Sequence, residues 1–238
     1  MKTIIYRAST RGHFENEWLN TRYSFSFADY FDRNKMNFGA LRVLNDDIIQ
    51  PSSGFGKHPH DNMEIITIPL SGSLSHKDSM GHEQKIKENE VQVMSAGTGI
   101  FHSEYNASNV EECSLLQIWI YPKHMNIKPS YEQKLFNIEK GNNHWQVIVA
   151  GPNSFESSLT INQNAKISRI KLSANQSIDY QLNTSSYGSF IFVIEGEIEL
   201  DKENLANRDA IGIYDTQQFT IRAVRDSYII NIEVPDKH

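Results

Sequence analysis

Residues 54–66, GFGKHPHDNMEII, place two histidines and a glutamate directly before an apolar run. Side chains of a strand alternate between its two faces, so His58, His60 and Glu64 share one face if the chain is extended through them. Pro59 lacks an amide hydrogen, which favours an edge strand or a strand entry. The stretch therefore predicts a strand that presents metal-binding side chains where it begins.

A second stretch, 95–105 (SAGTGIFHSEY), supplies His102 and Glu104 at the same spacing of two. Gly97 and Gly99 permit a sharp bend just before this pair. A single His-X-His pair is more often an ordinary surface feature, and the second matched pair is what favours a metal site. Two such pairs on facing strands bring three imidazoles and one carboxylate together. This donor set suits a divalent Fe, Mn, Co, Ni, Cu or Zn ion.

Other side chains near these pairs are weaker candidates. Glu64 lies on the ligand face but deeper, so it is expected to orient a ligand histidine or to accept a proton. Six other histidines are interpreted as turn or surface residues: His13, His76, His82, His124, His144 and His238. Three residues near the metal strand are candidates for a ligand pocket: Met36, Phe38 and Phe55.

Composition excludes several classes of protein. The chain has 238 residues and a formal net charge of −6, with no basic run, which argues against direct binding of nucleic acid. It has no apolar run of the roughly 20 residues that cross a membrane. The apolar part of residues 1–12 is shorter than the central region of a signal peptide, so we expect none there. The single cysteine, Cys113, excludes an intrachain disulfide. We expect a cytoplasmic protein.

Short runs of β-forming residues, separated by Gly, Asn, Asp and Ser, predict a sandwich or barrel. The predicted strands are 38–44, 64–70, 74–77, 91–94 and 114–121 in the first half, and 145–150, 165–172, 189–194, 197–200, 210–214, 219–223 and 228–234 in the second. The sequence Asn-Asp-Asp at 45–47 is predicted to be a turn that ends the first of these strands, and 71–73 a tight turn.

The stretch 122–141 (PKHMNIKPSYEQKLFNIEKG) separates two β-rich halves. It holds two prolines and mostly polar residues, which predicts a connector with one or two helical turns around 131–136. We therefore predict a metal-binding domain over 1–125, a connector over 126–143 and a second domain over 144–238. Residues 145–237 contain no histidine or cysteine, so metal ligands are expected in the first domain only.

At these residues the chain resembles the pirin family of the cupin superfamily, above all the bacterial pirin-like proteins linked to quercetin dioxygenase activity. The resemblance lies in FSFADYFDRNKMNFGALRVLNDD (25–47), GFGKHPHDNMEIIT (54–67), HKDSMG (76–81), VQVMSAGTGIFHSEYN (91–106) and LQIWIYPKHMNIKPSYEQ (116–133). It implies an all-β bicupin, with two cupin-type barrels (double-stranded β-helices) in one chain and a degenerate second barrel. The metal ligands that it implies are His58, His60, His102 and Glu104, and it implies that Glu64 is not a ligand.

By the same resemblance, the leading hypothesis is a metal-dependent dioxygenase that opens a flavonol-like (quercetin-like) ring with O2 and releases carbon monoxide. Glu104 is the expected proton acceptor, with Glu64 in reserve. The expected cofactor is one divalent transition metal, with Fe(II) first and Ni, Co, Mn, Cu or Zn as alternatives. A second hypothesis is a metal- or redox-gated regulator that binds a protein partner without turnover, and a third is a non-oxidative cupin such as an isomerase.

Overall fold

The computed structural model describes residues 1–152, 154 and 157–236, and His238 lies outside them. Strands and turns make up nearly all of the described chain, and the only helical elements within it are two short 3₁₀ helices, Ala8–Thr10 and Ile138–Gly141. No helix in this part of the chain is long and apolar enough to cross a membrane. The predicted all-β fold is confirmed.

Eleven strands form the first barrel, in one seven-stranded and one four-stranded sheet. They are β2 (Gly12–Glu15), β3 (Leu19–Tyr23), β4 (Leu41–Ile49), β5 (Gly54–His60), β6 (Glu64–Ser71), β7 (Ser73–Asp78), β8 (Glu83–Lys87), β9 (Glu90–Ser95), β10 (Ile100–Asn106), β11 (Cys113–Ile120) and β12 (Ser130–Leu135). The sheet orders are β12-β9-β6-β11-β4-β3-β2 and β5-β10-β7-β8. The predicted tight turn at 71–73 joins β6 to β7, with Gly72 at φ +72°.

Nine strands form the sheet of the second barrel, ordered β1-β19-β17-β20-β15-β13-β14, with β16 added to β20 and β18 added to β17. They are β1 (Lys2–Tyr6), β13 (Gln146–Ala150), β14 (Leu159–Thr160), β15 (Lys166–Leu172), β16 (Ser177–Gln181), β17 (Tyr187–Leu200), β18 (Glu203–Ala206), β19 (Ala210–Tyr214) and β20 (Gln218–Pro235). The long strands β17 and β20 each run through two of the predicted strands, and they pair along most of their length.

Two segments differ from the predicted division of the chain. Residues 131–136 are not helical turns, because β12 pairs with β9 and supplies hydrogen-bond partners to a strand that would otherwise be a sheet edge. The N-terminal strand β1 pairs with β19, so it belongs to the second barrel although it precedes the first in sequence. Strand β1, which lies within the predicted domain 1–125, therefore pairs in the sheet of the second barrel. The predicted connector 126–143 contains strand β12 of the first barrel.

The predicted turn at 45–47 is also wrong. Strand β4 continues through Asn45 and Asp47 to Ile49, with β3 on one side and β11 on the other. Pairing with two neighbours outweighs the local preference of Asn and Asp for turns. Because strand side chains alternate, Asp46 lies on the opposite face of β4 from Asn45 and Asp47. Its carboxylate accepts hydrogen bonds from Arg11 Nη1 at 3.2 Å and Arg208 Nη1 at 3.0 Å.

One continuous hydrophobic core joins the two barrels. Phe38, a pocket candidate from the sequence, is fully buried in it, 5.3 Å from the Phe190 ring centroid and 4.4 Å from that of Tyr214. A Cβ atom added to Gly188 or Gly212 would lie 2.7 Å or 2.4 Å from the Phe38 ring, so both positions require glycine for this packing. The barrels are therefore held together by close aromatic packing.

Candidate metal centre

The two predicted ligand pairs lie side by side on strands β5 and β10. These strands are antiparallel, and His58 is the register partner of His102. The register shifts between His102 and Glu104, which is a β-bulge that re-aims the following side chains. Two stretches separated by about forty residues in sequence are thereby brought to one place in the first barrel.

Three histidines form a compact cluster. The ring centroids are 4.8 Å apart for His58 and His60, 4.4 Å for His58 and His102, and 4.8 Å for His60 and His102. One ring nitrogen from each lies within 4.8 Å of the others. A second group overlaps the first at His102 and joins it to His76 and Glu104, again with ligand atoms within 4.8 Å of one another.

The chemistry of the cluster fits a divalent transition metal. Burial, together with the neighbouring imidazoles, lowers the pKa of His60 and of His102 to about 3, so both rings are neutral at pH 7. Both ring nitrogens of His102 are buried without a hydrogen-bond partner in the described chain. A buried, neutral and unpartnered imidazole is the form that binds such an ion, and metal coordination would satisfy it.

Glu104 is held in place by two neutral donors. Gln117 Nε2 donates to one carboxylate oxygen at 3.0 Å, and the Thr67 hydroxyl donates to the other at 3.4 Å. Burial raises the pKa of Glu104, an effect opposed by His76, Gln117, His58 and Thr67. A carboxylate with a raised pKa is suited to take up a proton at neutral pH.

Glu64 lies outside the cluster, contrary to the expectation from strand alternation. The chain turns between β5 and β6 at Asn62 (φ +45°), so Glu64 belongs to the other sheet. One of its carboxylate oxygens accepts hydrogen bonds from Ser95 Oγ at 2.6 Å and from the Asn162 backbone amide at 3.1 Å. This arrangement links the first barrel to a segment near the second.

His76 was interpreted as a turn or surface residue, and that interpretation is wrong. It is fully buried on β7, next to β10, with Nε2 3.3 Å from Asp78 Oδ2. The Tyr131 ring covers it at 4.9 Å, and its centroid is 5.4 Å from that of His102. A carboxylate, Asp78, does stand two residues after His76, and this spacing is the signal that could have marked His76 as a buried strand residue. Of the other histidines, His13, His124 and His144 are exposed and His82 lies in the turn after β7.

A cavity of about 400 Å³ lies beside the cluster and includes His58, His60, His102 and Glu104 in its lining. Five aromatic side chains contribute to its walls: Trp18, Tyr23, Phe27, Phe55 and Trp119. Phe55 was expected here, whereas Phe38 lies in the core and Met36 is 38% exposed at the surface. The Trp119 ring packs 4.8 Å from His60, so the aromatic walls begin directly beside the cluster.

The remaining lining includes polar residues from the segment 45–47, where the sequence predicts a turn. Asn45 and Asp47 project into the cavity from β4, and Thr21 projects from β3 beside Asp47. All three are buried. The apolar pair Ile48 and Ile49 follows Asp47 directly and indicates that the strand continues through 45–47. This is the sequence signal that could have identified Asn45 and Asp47 as strand residues.

Asp47→Asn is expected to stabilise the metal-free protein increasingly as the pH rises. Burial raises the pKa of Asp47 from 3.8 to about 7. Between these two pH values the folded state holds a proton that the unfolded state has released, so this group lowers stability as the pH rises. Asparagine does not titrate, so the difference in free energy of unfolding should grow by at most ~1.4 kcal/mol per pH unit, and level off above about pH 7. Urea unfolding of both proteins between about pH 4.5 and 8 measures this, and a difference independent of pH would contradict it.

Two β-barrels in one chain define a bicupin, and among the described residues the histidine and carboxylate cluster lies in the first barrel alone, as one candidate metal centre. The pirin family model matches residues 6–120, and the model described as the quercetinase C-terminal cupin domain matches 132–234. The chain belongs to the pirin family.

Relatives and solved structures agree with this assignment. The chain is 39% identical to a quercetin 2,3-dioxygenase of Escherichia coli K12 over 234 residues, which cover 98% of this chain and 99% of the relative. It is 36% identical to a pirin-like protein of Caulobacter vibrioides, covering 93% of this chain and 95% of the relative. The crystal structure of the bacterial pirin YhhW from Escherichia coli in complex with nickel(II) superimposes with a TM-score of 0.93 at 37% identity, covering 98% and 99% of the two chains.

Proposed function

We propose that this protein is a metal-dependent dioxygenase that opens the central ring of a flavonol such as quercetin. The observation that carries the proposal is the position of the cluster, since His58, His60, His102 and Glu104 all line one cavity with aromatic walls. Full-length relatives named quercetin 2,3-dioxygenase support it. We propose His58, His60, His102 and Glu104 as the residues that would hold one divalent ion.

The proposed reaction consumes one O2 for each flavonol. Two carbon–carbon bonds break at the carbon that bears the enolic hydroxyl, and this carbon leaves as carbon monoxide with its own oxygen. The two atoms of O2 enter the ester and the carboxyl group of the product. When bound, the ion supplies Lewis acidity toward the enolate and a path for electrons toward O2.

The residues of the chain prepare the substrate for this chemistry. Glu104 takes the proton of the enolic hydroxyl, because its raised pKa makes it a competent base near neutrality. Gln117 and Thr67 fix the direction of the carboxylate through their hydrogen bonds. The aromatic walls hold the planar rings and exclude water, which favours ring opening over side reactions.

The test is carbon monoxide release from quercetin in air, measured on protein loaded separately with Fe(II), Ni, Co, Mn, Cu or Zn. His60→Ala serves as the inactive control. Release with at least one metal, and not with the variant, is the expected result and also names the competent ion. Stoichiometric metal binding without release for any ion would overturn the proposal. Substrate consumption under nitrogen would indicate non-oxidative chemistry instead.

A regulator that binds a protein partner is the second candidate, and one feature of β10 favours it. Alternate residues of this strand face outward, and two of them are large and exposed: Phe101 at 48% and Tyr105 at 42%. They lie next to His102 and Glu104 in sequence, so a change of charge at the cluster would act close to this surface. Replacing both with serine would abolish partner binding and preserve turnover if the two functions are separate.

A further inference from the structure

The cavity has a polar region on β4 and β3, strands other than those that carry the three histidines. It is formed by Asn45 and Asp47 with Thr21, which are 4%, 3% and 1% exposed. In the sheet register, Asp47 on β4 is opposite Thr21 on β3, and Asn45 on β4 is opposite Gln117 on β11.

Several buried polar atoms of residues that line the cavity have no hydrogen-bond partner within the described chain, and outside the histidines they include Asn45 Oδ1 and Trp119 Nε1. Native proteins rarely leave buried polar groups unsatisfied, and each such group calls for a partner that the protein itself does not supply. A ligand with hydroxyl and carbonyl groups would provide these partners.

The spacing of this region suits the length of a small aromatic ligand. Gln117, which donates to Glu104, faces Asn45 across a strand pair, and Asp47 lies two residues further along β4. Two residues of a strand span about 7 Å. The backbone of Asp47 is therefore about 7 Å from that of Asn45 along β4, a distance comparable to the length of one substituted aromatic ring.

We propose that Asn45 and Asp47 recognise a hydroxyl group of the substrate remote from the part that binds the metal. The preferred substrates are then polyhydroxylated flavonol-like aromatics, and aromatics with the chelating hydroxyl alone are poor ligands. This inference rests on the proposed function for the class of ligand and goes beyond it in assigning specificity residues.

The protonation behaviour of Asp47 is compatible with this role. Burial raises its pKa to about 7, the Thr21 hydroxyl lowers it, Asp46 and Glu104 raise it further and Arg11 lowers it. Both the neutral and the charged carboxyl group accept a hydrogen bond from a hydroxyl. A site built to hydrogen-bond a hydroxyl discriminates strongly against an analogue that lacks it, because its own polar groups are then left unpaired.

The test compares quercetin with 3-hydroxyflavone, which keeps the chelating hydroxyl and ketone and lacks all other hydroxyls. Dissociation constants are measured under nitrogen on nickel-loaded protein by quenching of tryptophan fluorescence, so no turnover is needed. We expect the wild-type protein to bind quercetin at least ~10-fold more tightly. In Asn45→Leu/Asp47→Leu this preference should disappear through loss of quercetin affinity, while 3-hydroxyflavone binding changes less than about threefold.

Two further variants control the comparison. Asp47→Asn keeps a hydrogen-bonding group of the same shape and should retain a measurable preference. Asp46→Asn removes the neighbouring carboxylate, which bonds to Arg11 and Arg208 outside the cavity, and should leave the preference unchanged. If the double variant does not fold, the wild-type ratio still tests the inference, because equal binding of the two flavonols would overturn it.

Equal binding of the two flavonols by the wild-type protein would overturn the inference, as would a double variant that loses both equally. The outcome is separate from that of the proposed function. A strong preference without carbon monoxide release would reject the dioxygenase and keep the recognition site. Carbon monoxide release without a preference for quercetin over 3-hydroxyflavone would keep the dioxygenase and reject the recognition site.

Discussion

His102→Ala is expected to abolish nickel(II) binding and, with it, carbon monoxide release from quercetin. His102 is the shared member of both candidate ligand groups, so its loss leaves neither of them complete. Loss of a residue that only supports a ligand typically weakens metal binding 10–100-fold, and loss of this ligand should weaken it by more than about 100-fold. The thermal midpoint of the variant should therefore not rise on addition of nickel, whereas that of the wild-type protein should.

Metal content after dialysis and the nickel-dependent shift in thermal midpoint are the two measurements. His124→Ala is the matched control, because it removes an exposed histidine far in sequence from both strands. The metal-free variant should remain folded, since the ring nitrogens that it removes make no hydrogen bonds to the described residues. Stoichiometric nickel in dialysed His102→Ala would show that the cluster is not the metal centre.

Glu104→Gln is expected to lower kcat for quercetin by about 10²–10⁴-fold in folded protein. Glutamine has the same shape and still accepts a hydrogen bond from Gln117, but it cannot take the proton of the substrate hydroxyl. Nickel content must be measured on the same samples. A variant that retains metal and loses turnover identifies a base, and a variant that loses both identifies a ligand.

Glu64→Gln provides the contrast, because it makes the same chemical change at a buried carboxylate of the same barrel. It should keep turnover within about twofold and reduce the free energy of unfolding by about 1–3 kcal/mol, since Ser95 and the Asn162 amide lose a charged acceptor. Full activity in Glu104→Gln together with an inactive Glu64→Gln would reverse the assignment of the base.

The spacing of residues along the sequence was informative about the candidate ligands where both members of a pair lie on the same strand. His58 and His60 are two residues apart, as are His102 and Glu104, and each pair shares a face if it lies on one strand. All four residues line the same cavity. Glu64 shows the limit of that reasoning, because the turn at Asn62 interrupts the alternation on which the expectation depended.

Features created by pairing between distant strands could not be predicted from a single stretch. Asn45 and Asp47 have the composition of a turn, and only the neighbours β3 and β11 keep them in a strand. His76 is buried by the packing of β7 beside β10. Strand β12 likewise forms because β9 offers an open edge.

The position of β1 in the second sheet has a consequence for synthesis of the chain. Residues 2–6 leave the ribosome before every other described strand, yet their partners in β19, residues 210–214, leave it after all but one of these strands. All strands of the first barrel lie between these two segments, so that barrel can form its sheets while β1 remains unpaired. Strand β1 is thus made before the strands of both barrels and is among the last to pair, and its exposed backbone groups must be kept from other chains in the interval.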